Sequence, residues 1–170
     1  MEQAATLVAA IAAFVTALAT LRLVKAAKDQ LGQQTRSAQE AARLATLWHL
    51  EEVWMSPQML RRRKAAAEAI AANRHDPNSY DLDHVLDFLD MVGFLLRKGI
   101  IDKELAWHRF YHPAIHYWLL ARGYIEDERK DAPKIWEDYV SLVGRMMELE
   151  EATVTEADLE DFLTGERQDF

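Results

Sequence analysis

The hydrophobic pattern of the chain begins with one long apolar run. Residues 4–21 read AATLVAAIAAFVTALATL, eighteen residues without a charge, a proline or a glycine. As a helix this run spans about 27 Å, close to the hydrocarbon thickness of a bilayer. Three basic residues follow at positions 22–28 and Glu2 precedes the run, which is not the order of a signal peptide. The pattern predicts a transmembrane helix over residues 1–24, with membrane contact through 4–24 and the remainder of the chain in the cytoplasm. The expected location is the cell inner membrane, as a single-pass protein.

The same run is compatible with a helix that packs inside a soluble assembly, because eight of its eighteen residues are alanine. Ala5, Ala9, Ala13 and Ala17 recur at every fourth position. Small residues at this spacing let two helices approach closely, so a homo-oligomer is the expected state of the protein.

The rest of the chain has the periodicity of amphipathic helices. Residues 25–40 are polar and of good helical propensity, which predicts a helical stalk. Over 41–165 apolar residues recur at three- and four-residue spacing, and no segment alternates with period two. The predicted fold class is all-α, with the transmembrane helix and stalk followed by a bundle of four to five helices. Residues 166–170 are expected to form a tail.

Local signals place the ends of the bundle helices. Ser56–Pro57 supplies an N-cap and a first-turn proline. Asp102 caps a helix in which Pro113 should cause a kink or a break, because proline lacks an N–H donor. Residues 131–133 should begin the last long helix, and Thr153 with Glu156 matches a capping box for a short acidic helix. The apolar residues expected inward on the Asp102 helix are Leu105, Trp107, Phe110, Ile115, Trp118 and Leu119.

Composition excludes several classes of function. The chain has no cysteine, which removes disulfide scaffolds, thiolate-bound metals and thiol catalysis. Its net charge of -8 argues against general nucleic-acid binding, although residues 22–75 are net basic and 76–170 net acidic. No phosphate-binding glycine loop, nucleophile elbow or kinase signature is present, so no cofactor is expected.

Three histidines are the candidate metal ligands. His108, His112 and His116 are four residues apart, which on a continuous helix places the imidazoles on one face. Pro113 interrupts this register, no HExxH pattern accompanies them, and their neighbours are aromatic. We therefore expect hydrogen-bonding histidines at the edge of a core, and no bound metal.

An enzyme is the alternative function. Small helical ribonucleases of bacterial conflict systems place an arginine and a histidine with four to six residues between them, and two pairs here match that pattern. The candidate catalytic residues are Arg43 with His49, and Arg109 with His116. The acidic second half of the chain would repel RNA, so an enzyme is the less favoured expectation.

Two charged features have structural interpretations. The run Arg61–Lys64 fans over about 300° of a helix, so its four cations cannot share one binding face, and a solvated and partly salt-bridged surface is expected. Asp90 lies in a very apolar helix and should be partly buried with a cationic partner.

Residues 82–149 carry a family resemblance. The segment VLDFLDMVGFLLRKGIID (Val85–Asp102) is followed by Glu104, Trp107, Phe110, the Tyr117–Trp118 pair and Arg129. In this order of features the chain resembles an uncharacterised bacterial family of small helical domains, many with one amino-terminal membrane helix. The resemblance implies a helical fold and a membrane location but no catalytic residue. The expected function is a membrane-tethered cytoplasmic interaction or assembly module with an unknown protein partner.

Overall fold

Six α-helices and no strand make up the part of the chain that the computed structural model describes. That part comprises the backbone of residues 2–74, 77, 79–149 and 154–168, with the side chains from residue 20 onward except that of residue 149. The predicted all-α class is confirmed. The helices are α1 (Glu2–Trp54), α2 (Pro57–Ala72), α3 (Tyr80–Arg97), α4 (Lys103–Asp131), α5 (Glu137–Leu149) and α6 (Glu156–Arg167).

The chain divides into two units, Met1–Ala42 and Arg43–Phe170. Unit 1 is the first part of α1, and its described side chains, from residue 20 onward, are all exposed. The predicted transmembrane helix lies for the most part outside the described side chains, as does the alanine stripe. Among the described residues, no helix combines the length and the apolar character needed to cross a bilayer.

Unit 2 contains the last turns of α1 and helices α2–α6 around one hydrophobic core. Leu47, Leu50 and Trp54 bring the end of α1 into this core. In the middle of the bundle α3 packs against both α2 and α5, and α6 packs against α2 and α4. The continuation of α6 to Arg167 means that the expected tail begins inside a helix.

Two of the predicted helix starts are confirmed by side-chain caps. The Ser56 hydroxyl accepts a hydrogen bond from the backbone N–H of Met59 at 3.2 Å, with Pro57 in the first turn of α2. The Asp102 carboxylate accepts from the N–H groups of Glu104 and Leu105 at 2.9 and 3.1 Å. These bonds satisfy donors that have no partner inside a helix.

Three predicted boundaries are corrected. Pro113 does not divide α4, which runs from Lys103 to Asp131 with the proline buried inside it. α5 begins at Glu137 and not at residues 131–133, because α4 extends through Asp131 and a turn follows it. The capping box of α6 is formed by Thr155 and Asp158, two residues later than predicted: Asp158 Oδ2 accepts from the N–H of Thr155 at 2.8 Å.

The inward face of α4 is rotated from the predicted one. Phe110 and Ile115 are buried as expected, whereas Trp118 is half-buried and its neighbour Tyr117 is fully buried. Leu105, also expected inward, is exposed. Three buried positions of α4 are occupied by alanine, whose small side chain leaves room for neighbouring helices. They are Ala106, Ala114 and Ala121.

One face of α3 holds the beginning of α5. The side chain of Asp90 accepts hydrogen bonds from the backbone N–H groups of Asp138 and Tyr139, both at 2.9 Å. One turn earlier, Asp87 accepts from the indole N–H of Trp136 at 2.9 Å. A side chain of α3 thus caps the beginning of α5. The sequence predicted a cationic partner for Asp90, whereas its partners are backbone N–H groups.

Candidate functional site

A buried ion pair joins Arg63 of α2 and Glu166 of α6 in unit 2. The guanidinium donates from Nε to Glu166 Oε2 at 2.7 Å and from Nη2 to Oε1 at 2.5 Å. The hydroxyl of Tyr117 in α4 donates to the same Oε2 at 3.1 Å. Arg63 and Glu166 are only 8 % and 7 % exposed, so this polar cluster joins three helices inside the core.

Further contacts complete the environment of the Arg63 guanidinium. Its Cζ atom lies 4.3 Å from the centroid of the Trp54 ring, and Nη1 donates to the Trp54 carbonyl at 3.4 Å. Burial and the Glu166 carboxylate raise the pKa of the Tyr117 hydroxyl well above its usual value, so this hydroxyl stays protonated and keeps donating. With both carboxylate oxygens occupied, the cluster is suited to holding helices together and not to proton transfer.

The sequence contains one signal for this cluster, which the expectation of a solvated cationic run overlooked. Arg63 is four residues after Met59 and three before Ala66, so it falls on the apolar stripe of α2. Within the run Arg61–Lys64 the side chain of Arg61 is exposed, whereas that of Arg63 is buried. The expected solvated and partly salt-bridged face therefore holds for the exposed Arg61, whereas Arg63 forms its salt bridge in a buried position. No local feature marked Glu166, which stood in the expected tail.

Two of the three candidate metal ligands lie together beside the cluster. The rings of His112 and His116 are 3.9 Å apart, and Phe162 of α6 stacks 4.8 Å from His116. Nδ1 of His116 donates to the His112 carbonyl at 2.6 Å, while His108 is exposed and apart from them. Among the described residues, no group of three or more His, Asp or Glu side chains is arranged to hold a metal ion.

An open groove runs between α4 and α6 beside these histidines. Partial burial and the neighbouring His116 lower the pKa of His112, whose side chain keeps part of its surface in solvent, and its imidazole is neutral. Hydrogen bonds from Thr155 lower the pKa of Asp158, so the wall formed by α6 is anionic. The groove has a volume of about 530 Å³ and is lined by His112, Asp158, Asp161, Phe162, Gly165, Glu166 and Gln168.

The candidate ribonuclease residues have separate positions in unit 2. Arg43 is exposed on α1, and the ring of His49 is 3.7 Å from the Glu52 carboxylate. The Arg109 guanidinium is 3.0 Å from Glu51, whereas His116 is buried. No hydrogen bond or ion pair joins the members of either Arg/His pair in the described part of the chain.

The comparison with protein families gives one result. The family described as Domain of unknown function (DUF4760) matches residues 4–146. The chain belongs to the DUF4760 family. No curated protein and no solved structure matches it. This agrees with the predicted membership of an uncharacterised family, and the match begins at residue 4, well before residue 82 where the predicted resemblance began.

Unit 1 of this DUF4760 protein presents several strongly exposed apolar side chains. Leu21, Leu23, Val24 and Leu31 of α1 are 61–71 % exposed. Unit 2 buries its own leucines, with the exception of side chains at its surface such as Leu44. Exposed apolar side chains grouped along one helix are typical of an interaction surface.

Proposed function

We propose that this DUF4760 protein is a membrane-tethered helical interaction module that assembles with further copies of itself through unit 1. The observation that carries the proposal is the row formed by Leu21, Val24 and Leu31, all strongly exposed. These residues stand at a and d positions of one heptad register, the spacing of a coiled-coil seam.

A second copy of the chain is the natural partner for this row, since it offers the same surface. Fully burying a leucine gains about 1.5–3 kcal/mol relative to leaving it exposed. Ala38 and Ala42 continue the register and would let two helices approach closely, while Lys28 and Thr35 are polar positions in the same row. Polar residues inside a seam restrict the register and the number of helices that associate.

The membrane tether rests on the apolar run 4–21 and the charges that follow it. Arg22, Lys25 and Lys28 are exposed on α1 directly after the run. Cations at one end of an apolar helix favour the cytoplasmic side and anionic headgroups. In this arrangement unit 2 is the cytoplasmic body of a single-pass inner-membrane protein in a bacterium. The buried cluster around Arg63 makes that body a rigid scaffold, and an additional protein partner would bind to it.

A carbonate wash of cells that express the full chain tests the tether. Peripheral and soluble proteins are released by this wash, whereas an inserted helix stays in the membrane pellet. Retention in the pellet is expected. Complete release into the supernatant would contradict the tether.

Engineered cysteines test the assembly, because the chain has none of its own. Val24→Cys and Leu31→Cys should form disulfide-linked dimers in membranes under mild oxidation. Leu23→Cys is the matched control, since Leu23 is equally exposed but lies outside the heptad row. Equal crosslinking at all three positions, or none at any, would contradict assembly through this row.

A further inference from the structure

Unit 2 contains a cavity that none of the features above uses. It has a volume of about 140 Å³ and opens to solvent between α3, α4 and α5. Its walls are mostly apolar, and two cationic side chains stand among them. The lining residues are Leu96, Lys103, Trp107, Leu142, Arg145 and Met146.

The size of the cavity limits what can fill it. An apolar cavity of about 150 Å³ accommodates one benzene molecule, so this one has room for a single ring or a short alkyl chain. Trp107 and Met146 offer it an aromatic and a polarizable surface.

Neither cation of the lining, Lys103 or Arg145, is within ion-pair distance of a carboxylate in the described part of the chain. Arg145 acts at longer range on the Asp138 carboxylate. Asp102, which precedes Lys103, is engaged in capping α4. A cation of this kind next to an apolar wall is a favourable position for an anionic group on an apolar molecule.

The surroundings of the cavity carry further positive charge. The Asp138 carboxylate receives two hydrogen bonds from Arg97, at 2.5 and 2.9 Å. Arg97, Lys98 and Arg145 together lower the pKa of Asp138, so three cations act on one carboxylate. Several cations thus stand at this end of α3 and α5, where Arg97 is also acted on by the carboxylates of Asp138, Glu137 and Asp90.

We infer that this cavity is a binding site for a small apolar carboxylate, whose ring or short chain fills the space beside Trp107 and whose carboxylate lies between Lys103 and Arg145. The apolar volume selects the size of the ligand and the two cations select its charge. The site is independent of the assembly proposed for unit 1.

Fluorine NMR of the full-length chain labelled with 5-fluorotryptophan tests this inference. The Trp107 resonance is assigned by its absence in Trp107→Phe, and it reports only on ligand near the cavity. Benzoate, benzyl alcohol and benzylammonium are the probes, since they share a ring and differ in charge. Benzoate should bind more tightly than the alcohol, and the ammonium should bind least.

Substitutions then separate the contributions of charge and volume. Lys103→Gln and Arg145→Gln should each weaken benzoate by about fivefold and leave benzyl alcohol unchanged, as expected for one exposed ionic contact. Arg61→Gln removes an exposed cation on α2 and should change neither. Leu96→Phe should fill the cavity and weaken both ligands, while the other tryptophan resonances report an intact fold.

Two results would overturn the inference. One is equal binding of benzoate and benzyl alcohol to the unmodified chain. The other is benzoate binding that persists unchanged in both charge variants or in Leu96→Phe.

Discussion

The backbone of Gly93 lies directly against the carbonyl group of Asp138. A Cβ at position 93 would be 2.3 Å from the carbonyl oxygen and 2.6 Å from its carbon, and these backbone atoms cannot swing aside as a side-chain end could. Gly93→Ala should therefore force α3 and α5 apart and lower the free energy of unfolding by about 3 kcal/mol. Chemical denaturation measures the change.

Gly144→Ala is the matched control for this substitution. Gly144 also lies within a helix, but a Cβ there would meet nothing within 4 Å. Replacing a helical glycine by alanine should raise stability by about 0.5–1 kcal/mol. Equal changes in the free energy of unfolding for Gly93→Ala and Gly144→Ala would show that α3 does not approach α5 as closely as described.

Glu166→Ala should be strongly destabilising, because it leaves the guanidinium of Arg63 buried without its carboxylate. Removing one partner of a buried pair costs about 3–5 kcal/mol. Glu160→Ala removes a carboxylate that pairs with Arg74 at the surface and should cost about 0–1 kcal/mol.

The double variant Arg63→Met, Glu166→Leu should recover most of the stability that Glu166→Ala loses. Thermal unfolding of the three variants provides the comparison, and similar melting temperatures for the two single variants would exclude a buried role for Glu166.

Asp90→Ala should destabilise the beginning of α5, since the N–H groups of Asp138 and Tyr139 would lose their acceptor. We expect a loss of about 2 kcal/mol in the free energy of unfolding. Asp90→Asn keeps a side-chain oxygen at the same place and should lose less. Amide hydrogen exchange at Asp138 and Tyr139 reports the effect directly. Unchanged protection in Asp90→Ala would show that α5 is capped by other means.

The stability of unit 2 should fall as the pH drops below about 6.5, in part through His112. Burial and His116 lower the pKa of His112 from its ordinary 6.5 in the folded chain. The unfolded chain therefore takes up this proton first, and each step to lower pH favours unfolding until the folded imidazole is also protonated. Urea midpoints between pH 7.5 and 5 measure this decline.

His112→Gln should make that decline shallower than in the unmodified protein. His108→Gln replaces an exposed histidine of the same helix and should leave the pH dependence as it is. Parallel curves for His112→Gln and the unmodified protein would mean that His112 titrates alike in both states.

Local sequence signals predicted the parts of the fold that depend on neighbouring residues. The spacing of apolar residues and the capping residues were sufficient to identify the bundle helices. Ser56 and Asp102 cap the beginnings of their helices as expected. The start of α5 was misplaced because its cap comes from Asp90, 48 residues earlier in the chain than Asp138. A cap donated by another helix has no signature near the helix that it serves.

The candidate sites were harder to predict because their determinants are distant contacts. Arg63 stood in a run of four cations, and the run suggested a surface even though the position belonged to the apolar stripe. Tyr117 and Trp118 are adjacent, so a rotation of α4 by one residue decides which ring is buried. Only tertiary packing determines that rotation.

The separation of Arg63 from Glu166 along the chain has a consequence for synthesis of the protein. The two residues are 103 positions apart, so α3, α4 and α5 are all synthesised before the guanidinium of α2 can meet its carboxylate. Until α6 leaves the ribosome, the Arg63 guanidinium lacks the Glu166 carboxylate that pairs with it in the folded protein. Closure of this part of the core is thus coupled to the synthesis of α6, and a nascent chain arrested before α6 should be a substrate for chaperones.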